Sequence, residues 1–343
     1  MMKFKITLLA SFFCCLSVFA NELPDLGDAS QLIISAKEEQ AIAKAILKEV
    51  AVSPEIVQDI EVIDYLKNLG DRLVAYSPNK RQQFNFFVVN ESSINAFAML
   101  GGVIGVHTGL ILASNSESEV ASVLGHEIAH VTQRHLPRMI AQQKNDSIKT
   151  VLGIALALLV ARANPQLSAG TMTAASAMGV QKQLDYTREH EKEADRVGFQ
   201  ILTDAGFDGR SMVSFFNTLQ RGSRFSEGAA PSFLRTHPIT TDRISDISNR
   251  VKESRYRQIP DNPDFIFIKS KLRASNGTPQ SAVDEFEGSI KDKRYMNEAS
   301  ERYGLAIAYM RKSDFAKARQ EVEWLKTNTK KNALIETLGC KLE

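Results

Sequence analysis

The chain has 343 residues, of which 43% are hydrophobic and 24% are charged, and its formal net charge is +2. These proportions are those of a globular protein, and the length suits two domains. A net charge so close to zero, without a basic stripe interleaved with aromatic residues, argues against nucleic acid as a partner.

The first 20 residues have the pattern of a secretory signal peptide. Lys3 and Lys5 precede an apolar run over residues 6–19, and Ala20 suits cleavage at the next peptide bond. The run is shorter than the roughly 20 residues of a membrane span, so a retained signal anchor is the less favoured alternative. Cleavage would leave one cysteine, Cys340, in the mature chain, which then cannot form an internal disulfide.

Two helices and a small sheet are predicted next. Residues 36–50 and 55–76 have the periodicity of amphipathic helices. Residues 84–89 carry the aromatic and β-branched side chains typical of a strand. A second strand or turn at Gly101–Gly102 leads into residues 103–107, which completes the predicted sheet.

The edge of this sheet is a candidate substrate-binding surface. An extended peptide can pair with an exposed strand by strand addition. We therefore expect Asn95, Ala96 and Phe97 to line the substrate cleft, with an ordinary buried strand as the alternative.

Residues 126–130 carry the pattern H-E-x-x-H of zinc hydrolases. On a helix, positions four apart share a face, so the imidazoles of His126 and His130 can bind one metal ion. Glu127 lies beside them, where it can accept a proton from water. Ser116 is predicted to cap this helix, with Glu119 completing a capping box. Because so short a motif also occurs by chance, a third ligand is needed before a zinc site can be inferred.

An apolar segment follows over residues 151–180. Its first part, residues 151–161, is apolar on every side, and such a helix lies in a protein core or in lipid. It is shorter than a typical membrane span. We predict a buried helical hairpin inserted between the two zinc helices, with contact with a membrane surface as the alternative.

The second zinc helix is predicted over residues 186–198, where Glu191 and Asp195 share a face. Catalytic zinc usually has three protein ligands, and Glu191 can be the third. Asp195 can hydrogen-bond a ligand imidazole from behind and fix its tautomer. A solvated, salt-bridged surface helix is the alternative that the charge density alone would favour.

The pattern changes after the break at residues 260–263. The spacing of Ala282 and Ala318 is close to the period of about 34 residues in tetratricopeptide repeats, and Tyr303 with Tyr309 fits the same pattern. Stacked helix pairs of this kind form a concave surface for peptides or partner proteins.

Four blocks of sequence stand in a characteristic order. They are Asn95-Ala96-Phe97-Ala98 with Gly101-Gly102 and Val106-His107-Thr108-Gly109-Leu110; residues 126–130 with their continuation to His135; Glu191-x-x-Ala194-Asp195; and Thr236-His237-Pro238 with Arg243. Together they resemble the BepA/HtpX-like family of zinc metallopeptidases, over roughly residues 35–255. The resemblance implies that His126, His130 and Glu191 bind zinc and that Glu127 is the catalytic base. The chain departs from the family at Leu100, where many members have proline before the glycine pair.

His237 has three interpretations at this stage. It can donate a hydrogen bond to the developing oxyanion. It can instead be a fourth zinc ligand that displaces water and latches the enzyme shut, which the resemblance favours. The third interpretation is a loop histidine beside Pro238. Arg243 can support either functional role or start the helix over residues 240–255, and it is a further candidate for the substrate cleft.

The remaining histidines are not expected in the metal site. His107 lies in an apolar stretch and is interpreted as structural. His135 lies one residue beyond a full turn from His130, which predicts that it points away and lies at the surface. His190 directly precedes Glu191 and is expected to lie on another face.

The predicted fold is α+β and mostly helical. A gluzincin-type metallopeptidase domain with a small sheet is expected over residues 21–260, and an all-α, tetratricopeptide-like module over residues 261–343. One Zn²⁺ ion per chain is expected as the cofactor.

The resemblance implies a periplasmic zinc endopeptidase, with membrane-surface association as an option. It would cleave misfolded or stalled outer-membrane proteins and assist β-barrel assembly as a chaperone. The implied partners are unfolded or misassembled outer-membrane proteins and the β-barrel assembly machinery. The alternative is a mainly non-proteolytic chaperone or adaptor, whose helical repeats bind clients while the zinc site is latched.

Overall fold

A computed structural model describes residues 34–142, 188–225, 232–254 and 262–343. The predicted signal peptide and the predicted hairpin at 151–180 lie outside these residues. The strands are β1 (Asn85–Val89), β2 (Ala96–Met99) and β3 (Val103–His107). The helices, numbered in chain order, are α1 (Ala36–Val52), α2 (Ile60–Val74), α3 (Thr108–Ala113), α4 (Glu117–Thr132), α5 (His135–Gln142), α6 (Arg188–Asp204), α7 (Arg210–Phe225), α8 (Ser232–Thr236), α9 (Thr241–Glu253), α10 (Pro263–Ser275), α11 (Pro279–Lys291), α12 (Glu298–Arg311), α13 (Phe315–Asn328) and α14 (Ala333–Cys340).

The first two helices lie close to their predicted positions. Helix α2 begins later than predicted, because residues 54–55 form a turn and residues 56–59 run beside the sheet. Ile56 forms an antiparallel bridge with Val89 of β1, and Val57 N donates to the carbonyl of Val88 at 2.9 Å, so this segment pairs with the strand before the helix starts. Asp59 then caps α2 by accepting hydrogen bonds from the N–H groups of its first turn.

The three strands form one sheet in the order β1-β3-β2, with β3 parallel to β1 and antiparallel to β2. All five residues of β3 are buried. Gly101 and Gly102, with φ of 74° and 79°, make the turn between β2 and β3. Glycine adopts this left-handed backbone without strain. The turn therefore forms even though Leu100, and not proline, precedes the two glycines.

Helix α4 lies at the centre of the main core, buried from Glu117 to His130. Ser116 caps it as predicted, accepting from Glu119 N. The predicted capping box is wrong, because the Glu119 carboxylate accepts from Asn115 N and not from the N–H of Ser116. Helix α6 packs along α4, and a Cβ added at Gly198 would lie 2.9 Å from His126 N. The two backbones therefore approach more closely than larger residues at this point would allow.

Helices α10 to α14 follow as an all-α region. Helix α10 joins this region to the main core: Phe265, Ile268 and Leu272 pack into the main core, whereas Phe267 and Ala274 pack into the core of the C-terminal helices. The mostly helical α+β class is confirmed. The domain boundary and the tetratricopeptide assignment stay predictions.

Within the described ranges, we find no helix that is both long and apolar enough to cross a membrane.

Candidate metal centre

Four side chains from three parts of the fold meet in one buried site. His126 and His130 come from α4, Glu191 from the first turns of α6, and His237 directly follows α8. Each offers one ligand atom, and these atoms all lie within 4.8 Å of one another. All four residues are 1–2% exposed. The predicted ligands are therefore brought together, and His237 joins them.

The spacing of these atoms fits a tetrahedral zinc site. Bonds of about 2.0–2.1 Å to a tetrahedral metal place neighbouring ligand atoms about 3.3–3.4 Å apart. His126 Nε2 lies 3.5 Å from Glu191 Oε2, and His130 Nε2 lies 3.4 Å from Glu191 Oε1. His237 Nδ1 lies 3.4 Å from His126 Nε2. Two other separations are shorter: 3.0 Å between the Nε2 atoms of His126 and His130, and 2.9 Å between His237 Nδ1 and Glu191 Oε1.

A buried arginine and a second carboxylate support the ligands from behind. His126 Nδ1 lies 3.0 Å from Asp195 Oδ1, the partner that the sequence predicts. Arg243 donates from Nε and Nη2 to the two oxygens of Asp195 at 2.6 and 2.7 Å, and its Nη1 lies 2.8 Å from Glu191 Oε2. At 2% exposed, Arg243 lies behind the ligands. Its role in the substrate cleft stays a prediction.

The charges of the ligands are set by burial and by each other. Burial opposes the charged form of His126, but Asp195 and Glu191 outweigh burial and raise the pKa of His126 to about 9. Burial lowers the pKa of His130 well below its usual value. Burial also opposes ionisation of Glu191, yet His237 and the neighbouring imidazoles hold its pKa well below the usual value. Glu191 and His130 are therefore in the forms that bind metal ions, whereas His126 must release its proton when a metal ion binds.

Glu127 is fully buried beside these ligands. No side chain that the structure describes donates a hydrogen bond to either of its carboxylate oxygens. His237 Nε2 lies 3.5 Å from Glu127 Oε1. Burial raises the pKa of Glu127, against the opposing charges of His237 and His126. A fully buried carboxylate is costly unless a ligand or water uses it, so this residue is suited to handle a proton.

The predicted cleft residues lie on and beside the edge strand β2. Ala96 is fully buried and Asn95 is 8% exposed, while the half-buried Phe97 packs edge-on against the ring of His107. In the described part of the chain, β2 pairs only with β3, so its other edge is the one that could receive a peptide. Their contact with substrate stays a prediction.

Two histidines that the sequence analysis set aside are close to the site. The prediction that His135 lies at the surface is wrong, because it is fully buried and its Nδ1 lies 2.9 Å from Nδ1 of His130. Helix α4 ends at Thr132, and Arg134 adopts a positive φ of 54°, so the chain turns back and α5 starts at His135. A single helical wheel cannot represent this reversal. His190 is also buried and stacks on the His135 ring at 4.5 Å.

The third histidine, His107, is fully buried and hydrogen-bonds Ser93 Oγ through Nδ1 at 3.0 Å, in keeping with its structural interpretation.

Comparison with known proteins agrees with this site. Residues 63–251 match peptidase family M48. A putative beta-barrel assembly-enhancing protease of Vibrio cholerae is 36% identical over 310 residues, which cover 89% of this chain and 64% of that protein. The beta-barrel assembly-enhancing protease of Escherichia coli is 31% identical over 310 residues, covering 89% of this chain and 62% of the relative. The chain thus spans less than two thirds of the length of these relatives.

A shorter match is found with the metalloprotease YcaL of Escherichia coli, which is 30% identical over 172 residues, or 49% of this chain. The fold and the grouped side chains of the candidate centre are those of a zinc metalloprotease. The chain belongs to peptidase family M48, whose matched region holds every ligand of the candidate centre and Glu127.

Proposed function

We propose that this protein is a zinc-dependent endopeptidase in which His126, His130 and Glu191 hold one zinc ion and Glu127 moves the protons of hydrolysis. The observation that carries the proposal is the buried group of four donor atoms, all within 4.8 Å of one another, with the fully buried carboxylate of Glu127 beside it. A bound zinc ion would polarise the scissile carbonyl and make water a better nucleophile at neutral pH.

Glu127 acts first as general base and then as general acid. It takes a proton from the attacking water and gives it to the leaving amine. Burial supports this role because it raises the pKa of the carboxyl group and so brings it nearer to neutral pH, where a group can both accept and release a proton.

We assign His237 the role of a latch at the fourth position of the site. Its Nδ1 faces His126 and Glu191, at distances close to those between the other donor atoms. A fourth protein ligand would leave no open position for water, and the enzyme would be inactive until His237 moves away. An oxyanion donor is the competing role, because Nε2 of the same imidazole lies near Glu127.

We propose the periplasm as the compartment and outer-membrane proteins as the substrates. The support is the name of two relatives, beta-barrel assembly-enhancing protease, together with the signal-peptide pattern of residues 1–20. Misfolded or stalled β-barrel proteins would be cleaved, and the β-barrel assembly machinery is the partner that this role requires. Chaperone action on the same clients would accompany cleavage.

The testing experiment measures cleavage of an unfolded outer-membrane β-barrel protein by the purified mature chain, with bound zinc counted. Glu127→Gln should retain zinc and lose cleavage by about 10²- to 10⁴-fold, because only the base is removed. Glu189→Gln is the matched control, since Glu189 is exposed on α6 and should behave as the wild type. Unchanged cleavage by Glu127→Gln would contradict the proposed mechanism.

A second candidate function is a chaperone or adaptor with a permanently latched site. The position of His237 among the zinc ligands favours it. The same experiment separates the two functions. Stoichiometric zinc without cleavage, in the wild type and also in His237→Ala, would support the chaperone or adaptor and contradict the peptidase.

A further inference from the structure

A chain of hydrogen bonds leads from His130 away from the other ligands to the protein surface. His130 Nδ1 lies 2.9 Å from His135 Nδ1, and His135 Nε2 lies 3.1 Å from Glu193 Oε2. The same oxygen of Glu193 accepts from Arg138 Nη1 at 3.1 Å. His135 is fully buried, whereas the side chains of Glu193 and Arg138 are each 38% exposed. This chain of hydrogen bonds therefore joins the buried His130 to a half-exposed ion pair.

The proton positions along this chain follow from the ligand role of His130. Its Nε2 faces the other donor atoms, so in a neutral metal-binding imidazole the proton must be on Nδ1. His130 Nδ1–H then donates to His135 Nδ1, which must carry no proton. His135 therefore has its proton on Nε2 and donates to the carboxylate of Glu193. With these tautomers of His130 and His135, each N–H group in the hydrogen-bond chain faces an atom that can accept its proton.

The local fold holds His135 in this place. The positive φ of Arg134 ends α4, and α5 starts at His135, so the imidazole returns towards the helix that carries His130. On the other side the His135 ring stacks on His190 at 4.5 Å, with 22° between the ring planes. His190 directly precedes Glu191, so the same imidazole contacts residues of both ligand-bearing helices.

The two histidine ligands are thus supported in different ways. His126 faces the carboxylate of Asp195 directly at 3.0 Å, whereas His130 reaches the carboxylate of Glu193 only through His135. A partner behind a ligand imidazole fixes the tautomer and the ring orientation. We propose that His135, held by Glu193, is a positioning residue that fixes the tautomer and orientation of His130 for metal binding. This rests on the proposed zinc site.

The test measures zinc affinity of the full mature chain by competition with a chromophoric chelator, together with the visible spectrum of the cobalt-substituted protein. His135→Phe keeps the ring stack on His190 but removes both nitrogen atoms. We expect zinc binding about 10- to 100-fold weaker, the usual effect of losing such a partner, and an altered cobalt spectrum. His135→Asn places an amide oxygen near the position of Nδ1 and should restore most of the affinity.

Two further variants keep the test decisive. Met139→Ala loosens the buried side of α5 without touching the hydrogen-bond chain, and it should leave zinc affinity and the cobalt spectrum unchanged. Glu193→Leu removes the acceptor at the half-exposed end, where folding is less sensitive, and should weaken zinc binding in the same direction as His135→Phe.

The outcomes test the positioning role of His135 separately from the proposed zinc site. Zinc affinity of His135→Phe within twofold of the wild type would overturn the positioning role. Equal losses in His135→Phe, His135→Asn and Met139→Ala would also overturn it, because packing would then be responsible. Unchanged affinity in Glu193→Leu would remove Glu193 from the chain. A wild type without stoichiometric zinc would overturn the proposed function itself, which the first readout detects separately.

Discussion

His237 Nδ1 lies 2.9 Å from Oε1 of Glu191, and both side chains are 1% exposed. The ring of Phe233 stacks on the His237 imidazole at 4.6 Å, and His237 N donates to the carbonyl of Phe233 at 2.8 Å. The short helix α8 therefore places His237 against Glu191 in the site. Phe233 is itself 1% exposed and packs in the main core, so α8 is anchored there and holds His237 in the site.

Replacing His237 tests the latch directly. If the latched state is favoured by about 1.4 kcal/mol, His237→Ala should raise the cleavage rate about tenfold, with zinc retained by the other three ligands. Arg235→Ala is the control, because Arg235 is exposed on the same helix. Cleavage of an unfolded β-barrel protein is the measurement. A fall in rate with zinc retained would assign His237 as an oxyanion donor instead.

Replacing Glu191 tests the third ligand. Glu191→Ala should lose most of the bound zinc, because it removes the donor that lies near both His126 and His130. The variant also leaves Arg243 without one of its two carboxylate partners, so the melting temperature Tm should fall. Metal analysis after dialysis gives the zinc content, with Glu189→Ala as control. Full zinc retention in Glu191→Ala would show that another residue is the third ligand.

The grouping of side chains at the candidate centre could be predicted from the sequence because it depends on local periodicity. Four-residue spacing on a helix places His126 with His130, and Glu191 with Asp195, on single faces, and the structure joins those two faces. Helix α4 was equally clear, since its cap at Ser116 is a local feature.

What the sequence analysis missed depends on breaks in regular backbone and on distant contacts. His135 is buried because the backbone of Arg134 leaves the right-handed helical conformation. A helical wheel assumes a regular helix and cannot show this change. The start of α2 was misplaced because residues 56–59 run beside the strand β1, a contact between segments about 30 positions apart. The bidentate pairing of Arg243 with Asp195 likewise joins α9 to α6 and has no local signature.

The close approach of α4 and α6 depends on two glycines. A Cβ at Gly198 would lie 2.9 Å from His126 N and 3.0 Å from the carbonyl oxygen of Gly125. Gly198→Ala should therefore push the two ligand-bearing helices apart, with a loss of about 1–3 kcal/mol of stability and weaker zinc binding. Thermal unfolding with and without zinc is the measurement.

Gly288→Ala is the matched control for the glycine prediction. Gly288 lies in α11, and the nearest heavy atom to an added Cβ is Arg294 Nη2 at 3.6 Å, an ordinary contact. Alanine should be neutral there or stabilise the helix by up to about 1 kcal/mol. Equal effects of the two substitutions would show that the close helix contact is not what Gly198 provides.

The C-terminal helices are tied to the metallopeptidase core through Lys271 of α10. This side chain is 9% exposed, lies 2.5 Å from Asp59 and pairs with Glu61, both at the start of α2. Lys341 also reaches Glu61, at 3.0 Å, but its side chain is 45% exposed. The two lysines thus share one carboxylate and differ mainly in burial, so they form a matched pair for substitution.

Burial predicts different effects for these two lysines. Lys271→Met should cost about 2 kcal/mol, because it leaves the largely buried Glu61 carboxylate with only the exposed Lys341 as its partner. For a chain of this size that corresponds to a Tm lower by roughly 3–4 °C. Lys341→Met should cost less than about 1 kcal/mol, as expected for an exposed ion pair screened by water. Thermal unfolding at low and high salt measures both. Similar small effects for the two variants would mean that the C-terminal helices are held to α2 by apolar packing, and the Lys271 contact would carry little of the coupling.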